Sequence, residues 1–193
     1  MQIKVDAHEL EKLVKLVERL QKQIPGAIAR GLNEGGDKVR TKVQKALQKQ
    51  TSLVRYGSVT SRVRTARAFG GQGDLSSVSK GSAVGQGMSY QIIVSGKPTK
   101  MYEFKTQVTK GPGGGVTAWM WGNPHKFKRS FEGSGKIAGR LVMRTTGPRT
   151  PLRSFDGPNL AKEAIKDKSA EAFFATAETE VPAAVLKHLG KAL

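Results

Sequence analysis

Apolar residues near the start of the chain recur at helical spacing. Leu10, Leu13, Val14, Val17, Leu20 and Ile24 fall on one helix face, and Glu11, Lys12, Lys15, Glu18, Arg19 and Lys22 on the other. Asp6 is a good N-cap and Glu9 sits in the first turn, where the helix dipole favours a carboxylate. Glu11/Lys15 and Glu18/Lys22 are i,i+4 pairs in the favourable order. Residues 2–5 read as a short strand or an extended lead-in. Pro25 interrupts the pattern, and Ile28, Leu32, Val39, Val43 and Leu47 resume it, so a second helix is expected to start at Pro25. Gly31, Gly35 and Gly36 inside it cost roughly 1 kcal/mol each relative to Ala, a cost that the close approach of another backbone would explain. A third, shorter helix is expected over 53–68, capped by Thr51-Ser52, with Val59, Val63 and Ala66 inward; Gly57 and the valines also suit a strand.

The pattern then changes. Residues 70–87 hold six glycines and four serines with one basic residue, the composition of a flexible loop. Residues 89–95 alternate, with Tyr90, Ile92 and Val94 on one face of a strand. Met101, Tyr102 and Phe104 mark a short apolar segment. Residues 110–115, KGPGGG, read as a hairpin turn, and 116–121 as a strand with Trp119 and Trp121 opposite Val116, Ala118 and Met120. Phe127 and Phe131 lie in a basic segment. In 140–159, Leu141 and Met143 alternate with Val142 and Arg144, Gly147-Pro148 breaks the strand, and Leu152 and Phe155 anchor the run that closes on Gly157-Pro158 before a helix. Residues 169–193 form a last helix, with Ala170, Phe173, Phe174, Ala177, Val181, Val185 and Leu189 as its buried stripe. Pro182 is expected to break or kink it. This helix is expected to pack against the first or second. The expected class is α+β: N-terminal helices, a small antiparallel β-sheet with glycine-rich loops, and a C-terminal helix.

Charge adds the next constraint. Thirty-three basic residues against fifteen acidic give a net +18. Residues 1–70 carry +9, residues 71–155 +10, and residues 156–193 −1. A polyanion is the natural neighbour of the first two blocks. Arg55, Arg62, Arg64 and Arg67 are the candidate contacts to a polyanion or partner, the last three beside the Val59/Val63 stripe. No cysteine is present, which excludes disulfides and thiolate metal sites. There is no signal-like N-terminal apolar region and no run long enough to span a bilayer, so no membrane role is expected.

Enzyme chemistry finds little support. Gly133-Ser134-Gly135-Lys136 lacks the earlier glycine of a Walker A loop, with Ser130 in its place, and the following hydroxyl, with Ile137 in its place. His8, His125 and His188 are scattered, and residues 71–155 hold just three carboxylates, Asp74, Glu103 and Glu132. A non-enzymatic protein without cofactor or metal is expected.

The stretch RLVMRTTGPRTPLRSFDGPN, residues 140–159, resembles the signature of the minor tail protein Z family of long-tailed bacteriophages, the tail completion proteins. The residues that carry it are Arg144, Arg149, Pro151, Leu152, Arg153, Gly157 and Pro158. Ile24-Pro25-Gly26-Ala27, the basic segment through Ala68 and the Phe127–Phe131 region extend the likeness along nearly the whole chain, with residues 70–87 as an insertion. The resemblance implies one domain over 1–193: a helical part over 1–69, the loop over 70–87, a β part over 88–158 and the C-terminal helix over 159–193. It also implies a structural virion protein, made in the host cytoplasm and placed at the head-proximal end of the tail. There it would form a homo-oligomeric ring, hexameric like the tail tube, that joins tail tube to head–tail connector. Genomic DNA in the lumen is then a candidate partner of the basic surface. No catalytic residues come with the family. The alternative is a basic nucleic-acid-binding module, in which the same arginines bind phosphates. Such a module usually carries a reading helix or stacking aromatics. Trp119 and Trp121 are candidate stackers, but no basic groove is evident beside them in the sequence.

Overall fold

The computed structural model describes residues 7–69, 83–84, 88–111, 114–133, 135–138, 140–144 and 151–192, and among residues 7–22 the side chain of Lys15 alone. The architecture is α+β. A long helix, α1 (Ala7–Thr51), is followed by a short α2 (Tyr56–Thr60), small sheets, α3 (Leu160–Ala164) and a final α4 (Asp167–Leu189). The strands are β1 (Val63–Arg67), β2 (Ala83–Val84), β3 (Gln91–Val94), β4 (Pro98–Lys100), β5 (Thr106–Thr109), β6 (Gly115–Met120), β7 (Asn123–Lys128), β8 (Ser130–Glu132), β9 (Leu141–Arg144), β10 (Leu152–Ser154) and β11 (Asp156–Asn159). They pair in the orders β2-β1-β3, β5-β6-β7, β10-β9-β8 and β11-β4. The last three sheets are antiparallel, while β1 and β2 run parallel.

The chain forms two compact units. The first comprises Met1–Arg40, Thr65–Ile93 and Ala175–Leu193. In it the C-terminal half of α4 packs on α1 through glycines. A Cβ on Gly31 would lie 2.5 Å from the Val185 Cα, and one on Gly35 2.8 Å from the Val181 Cα. Gly36 would in the same way meet the Tyr90 ring. The expected close approach is therefore present, and it involves backbone. Asn33 ties α1 to Ala68 twice, its amide donating to the Ala68 carbonyl at 3.0 Å and accepting from the Ala68 N–H at 2.9 Å.

The second unit comprises Thr41–Arg64 and Val94–Phe174. Leu47, Val59, Met101, Val116 and Leu160 are its largest fully buried apolar side chains. Gln50 holds α3 and the start of α4: its amide donates to the Glu163 carbonyl at 3.1 Å and its oxygen accepts from the Ser169 hydroxyl at 2.7 Å. Asn159 caps α3, accepting from the Ala161 N–H at 2.9 Å, which places the helix start where the Gly157-Pro158-Asn159 stop predicts it.

Several expectations are corrected. Pro25 starts no second helix; it lies inside the single 45-residue α1. Proline removes one backbone bond, yet the helix runs on through it, with Ala27, Ala29, Val39, Val43 and Leu47 buried beyond it. The third helix over 53–68 is instead the short α2 and strand β1, because β-branched Val63 and Thr65 stand on one pleat face, both buried. Pro182 lies within α4 without ending it. The expected buried stripe of α4 is not fully buried: Phe173 is 39 % and Phe174 62 % exposed, Ala170, Ala177, Val181, Val185 and Leu189 are half-buried, and Ala184 is the apolar residue that is buried. Leu141 and Val142 are both buried, so β9 has no single buried face, and Leu152 is exposed. Phe155 is half-buried beside Phe127, with ring centroids 5.0 Å apart. The 110–115 turn joins β5 to β6 as a hairpin, pairing Thr109 with Gly115. Of residues 70–87, Ala83–Val84 pair with β1 and the rest lie outside the described residues, as do residues 2–5, the Asp6 cap and the side chains of Leu10, Leu13, Val14, Val17 and Leu20.

Candidate functional site

The four arginines singled out in the sequence divide into two that are paired and two that are exposed. Arg62 precedes β1 and forks onto Glu103, with donor–acceptor distances of 2.9 and 2.7 Å, while also donating to the Ser58 carbonyl at 2.8 Å. The two side chains are 17 % and 9 % exposed, so this ion pair is an internal brace and Arg62 is not available to a polyanion. Arg67, in the first unit, pairs with Asp37 at 2.8 Å, and Asp37 also accepts from the Tyr90 hydroxyl at 2.7 Å. Burial pushes the Tyr90 phenol pKa up, and the Asp37 bond adds to it. Arg55 and Arg64 are exposed. They are the two of the four whose charge faces solvent.

Arg55 stands over a cleft of about 610 Å³ in the second unit. Ser58 and Arg62 line its α2 side, Tyr102, Glu103 and Phe104 the opposite one. The Arg62–Glu103 pair within it is self-neutralised, and Tyr102 is 58 % exposed at its mouth. The cleft therefore offers one exposed guanidinium beside an aromatic edge, not a phosphate cradle.

The motif residues divide into a structural pair and a surface group. Pro158 is buried and its carbonyl accepts from the Thr99 hydroxyl at 2.8 Å. A Cβ on Gly157 would lie 2.6 Å from that Thr99 oxygen and 2.5 Å from the Phe104 ring. Gly157-Pro158 is thus dictated by the packing of β11 on β4 and Phe104. Arg144 lies over the Phe131 ring, 5.3 Å from its centroid, and is exposed. Pro151, Leu152 and Arg153 are exposed in and beside β10. Arg149 lies outside the described residues.

A further basic surface was not legible in the sequence. From residue 104 to residue 131 the chain carries Lys105, Lys110, Lys126, Lys128 and Arg129 and no carboxylate. These residues span the β5-β6-β7 sheet. Its register pairs Gly115 with Lys128, Thr117 with Lys126 and Trp119 with Pro124. Cross-strand partners share a face and alternate residues keep it. Lys126, Lys128 and Trp119 therefore project to one side, opposite the buried Val116, Ala118 and Met120. Lys105 joins them, its ammonium 5.2 Å from the Trp119 ring centroid. Sequence periodicity placed Trp119 correctly but said nothing of which lysines register puts beside it.

Trp121 is not on that face. It and Gly122 have φ of 50° and 76°, the two central residues of the β6–β7 turn. Both positive φ values fit a type I′ hairpin. The Trp121 indole N–H donates to Glu163 at 3.0 Å. The expectation that both tryptophans share a strand face is corrected by that turn.

Among the described residues no three His, Asp or Glu side chains are grouped to hold a metal ion, and no helix is long and apolar enough to cross a membrane. The chain matches no family model, no curated protein and no solved structure.

Proposed function

We propose that this chain is a structural protein of the virion of a long-tailed bacteriophage, acting at the head-proximal end of the tail. Its subunits form a homo-oligomeric ring, hexameric like the tail tube, and the ring helps join the tail tube to the head–tail connector. It uses no cofactor and performs no catalysis. Its basic surface meets a polyanion, either genomic DNA in the lumen or an acidic neighbouring protein. The resemblance carried by Arg144, Pro151-Leu152-Arg153 and Gly157-Pro158 supplies the place in the virion.

The observation that carries the oligomer is an apolar group on the second unit. Ile165 is 78 % exposed, Phe174 62 % and Phe173 39 %, near one another in sequence across the α3–α4 junction. Phe173 and Phe174 touch each other, and exposed apolar side chains in mutual contact are what subunit contacts bury. A second copy of the chain is the occupant this reading requires, and like-charged subunits then need the polyanion to offset their mutual repulsion.

Sedimentation velocity and negative-stain microscopy of the full chain, alone and with tail tube protein, test the reading. A closed ring is the expected result. A monomer under every condition, including with tail tubes, overturns it and leaves the alternative of a basic nucleic-acid-binding module.

A further inference from the structure

We propose that the outward face of the β5-β6-β7 sheet binds single-stranded nucleic acid, with Trp119 as the stacking platform and Lys105, Lys126 and Lys128 as phosphate contacts. The proposal goes beyond the reading above: it takes a single-stranded partner in place of the lumenal genome or an acidic protein, and it is independent of the ring.

Four observations lead to it. The register puts Lys126 and Lys128 on the face of Trp119, and Lys105 reaches the same ring from the β5 side. The lysines are exposed and Trp119 is half-buried, so the ring is anchored in the sheet and part of it lies at the surface, beneath the mobile end of the Lys105 side chain. No carboxylate occurs anywhere between residues 104 and 131, so nothing within the sheet's own sequence repels a phosphate. Pro124, opposite Trp119 in the register and exposed, widens the apolar centre that the lysines flank.

The combination favours a single strand. In a duplex both faces of each base are stacked on neighbours, and an aromatic in the middle of a flat surface gains nothing from them. In a single strand the bases are free to stack on an indole while the backbone follows the cations, the arrangement that sequence-tolerant single-strand binders use. The six residues of β6 extend about 20 Å, room for only a few nucleotides. In the free protein the Lys105 ammonium occupies the indole. A cation–π contact at an exposed site is weaker than a stacked base. Binding then moves the ammonium from the ring to a phosphate, and a base takes its place.

Fluorescence anisotropy of the full chain with labelled oligothymidylate of about 12 nucleotides, and with a duplex of equal length, over roughly 50 to 200 mM salt, tests this. Single strand is expected to bind more tightly than duplex. Trp119→Ala should weaken it by about 5- to 150-fold, the worth of one stacked base, and Trp119→Phe much less. Lys126→Ala with Lys128→Ala should lower the slope of log K against log salt by about 1.4, two phosphate contacts. Lys45→Ala with Lys49→Ala, which removes the same charge from exposed positions on α1, should leave that slope nearly unchanged. Circular dichroism checks that each variant is folded, and if Trp119→Ala is not, the lysine pairs decide alone. Preference for the duplex, equal effects of the two lysine pairs, or no binding at the lowest salt would each overturn the proposal. None of these outcomes bears on whether the chain forms rings.

Discussion

Arg62 and Arg64 are neighbours in a basic run, yet their substitution should have opposite consequences. Removing Arg62 strands the Glu103 carboxylate, 9 % exposed, without its fork of hydrogen bonds. Breaking one partner of such a pair costs about 3 kcal/mol, because the remaining charge stays desolvated. Arg64→Ala removes an exposed charge and should stay within about 0.5 kcal/mol of the parent. Urea denaturation of the two variants checks this, and equal stabilities would mean that the Arg62–Glu103 brace does not hold in solution. Gly35 offers a second contrast. Alanine improves helix propensity by roughly 1 kcal/mol, but its Cβ would lie 2.8 Å from the Val181 Cα and 3.2 Å from the Glu180 carbonyl oxygen, neither of which can turn aside. Overpacking of this kind costs about 1–3 kcal/mol, so Gly35→Ala should lower the thermal midpoint. A raised midpoint would show that the two backbones do not approach so closely.

At the level of elements, the α1–α4 pairing in the first unit is laced by ions. Lys187 donates to Glu34 at 2.8 Å, His188 lies 2.7 Å from the other Glu34 oxygen, and Lys38 donates to Glu180 at 2.9 Å. The Lys187 hydrogen bond, then that of His188, lowers the Glu34 pKa from 4.5 to about 2. A carboxylate depressed in the folded state stabilises it fully above the unfolded value and loses that contribution as pH falls towards the folded one. The chain should therefore lose stability between pH 4.5 and about 2. Glu34→Gln should remove that part of the acid transition while leaving the rest, as read by helix signal against pH. Superimposable acid curves for parent and variant would remove Glu34 from the account. The Glu180 hydrogen bond raises the Lys38 pKa, the direction expected of an ammonium that gains a carboxylate partner on folding.

For the whole molecule, the question is which surfaces water does not normally see. Phe173 and Phe174 touch each other edge-on at 5.4 Å between ring centroids, and both are exposed. Replacing both with Ser should leave the isolated chain folded, since neither ring is among the buried core side chains, and should abolish ring formation. Thermal melting gives the first readout and sedimentation the second. A variant that still assembles would place the subunit contact elsewhere, and one that fails to fold would place the two rings in the core.

Much of the secondary structure was legible because its causes are local. The helical period over residues 10–47, the alternation around Val116–Met120, the KGPGGG turn and the Gly-Pro-Asn stop before α3 each need no distant partner to be read. So does the basic excess, which is a property of composition. What the sequence left open depends on long-range pairing. α1 runs on past Pro25 against the local preference of proline. Pairing with β2 and β3 makes residues 63–67 a strand, where a helical stripe could equally be drawn. Glu103, forty-one residues away, decides that Arg62 is a brace while Arg64 stays in water. Register alone brings Lys105, Lys126 and Lys128 around Trp119, and a positive φ at Trp121 removes the second tryptophan from that face. Local preferences choose elements within a few residues, whereas the faces those elements present, and the charges left unpaired on them, are set by contacts between segments far apart in the chain.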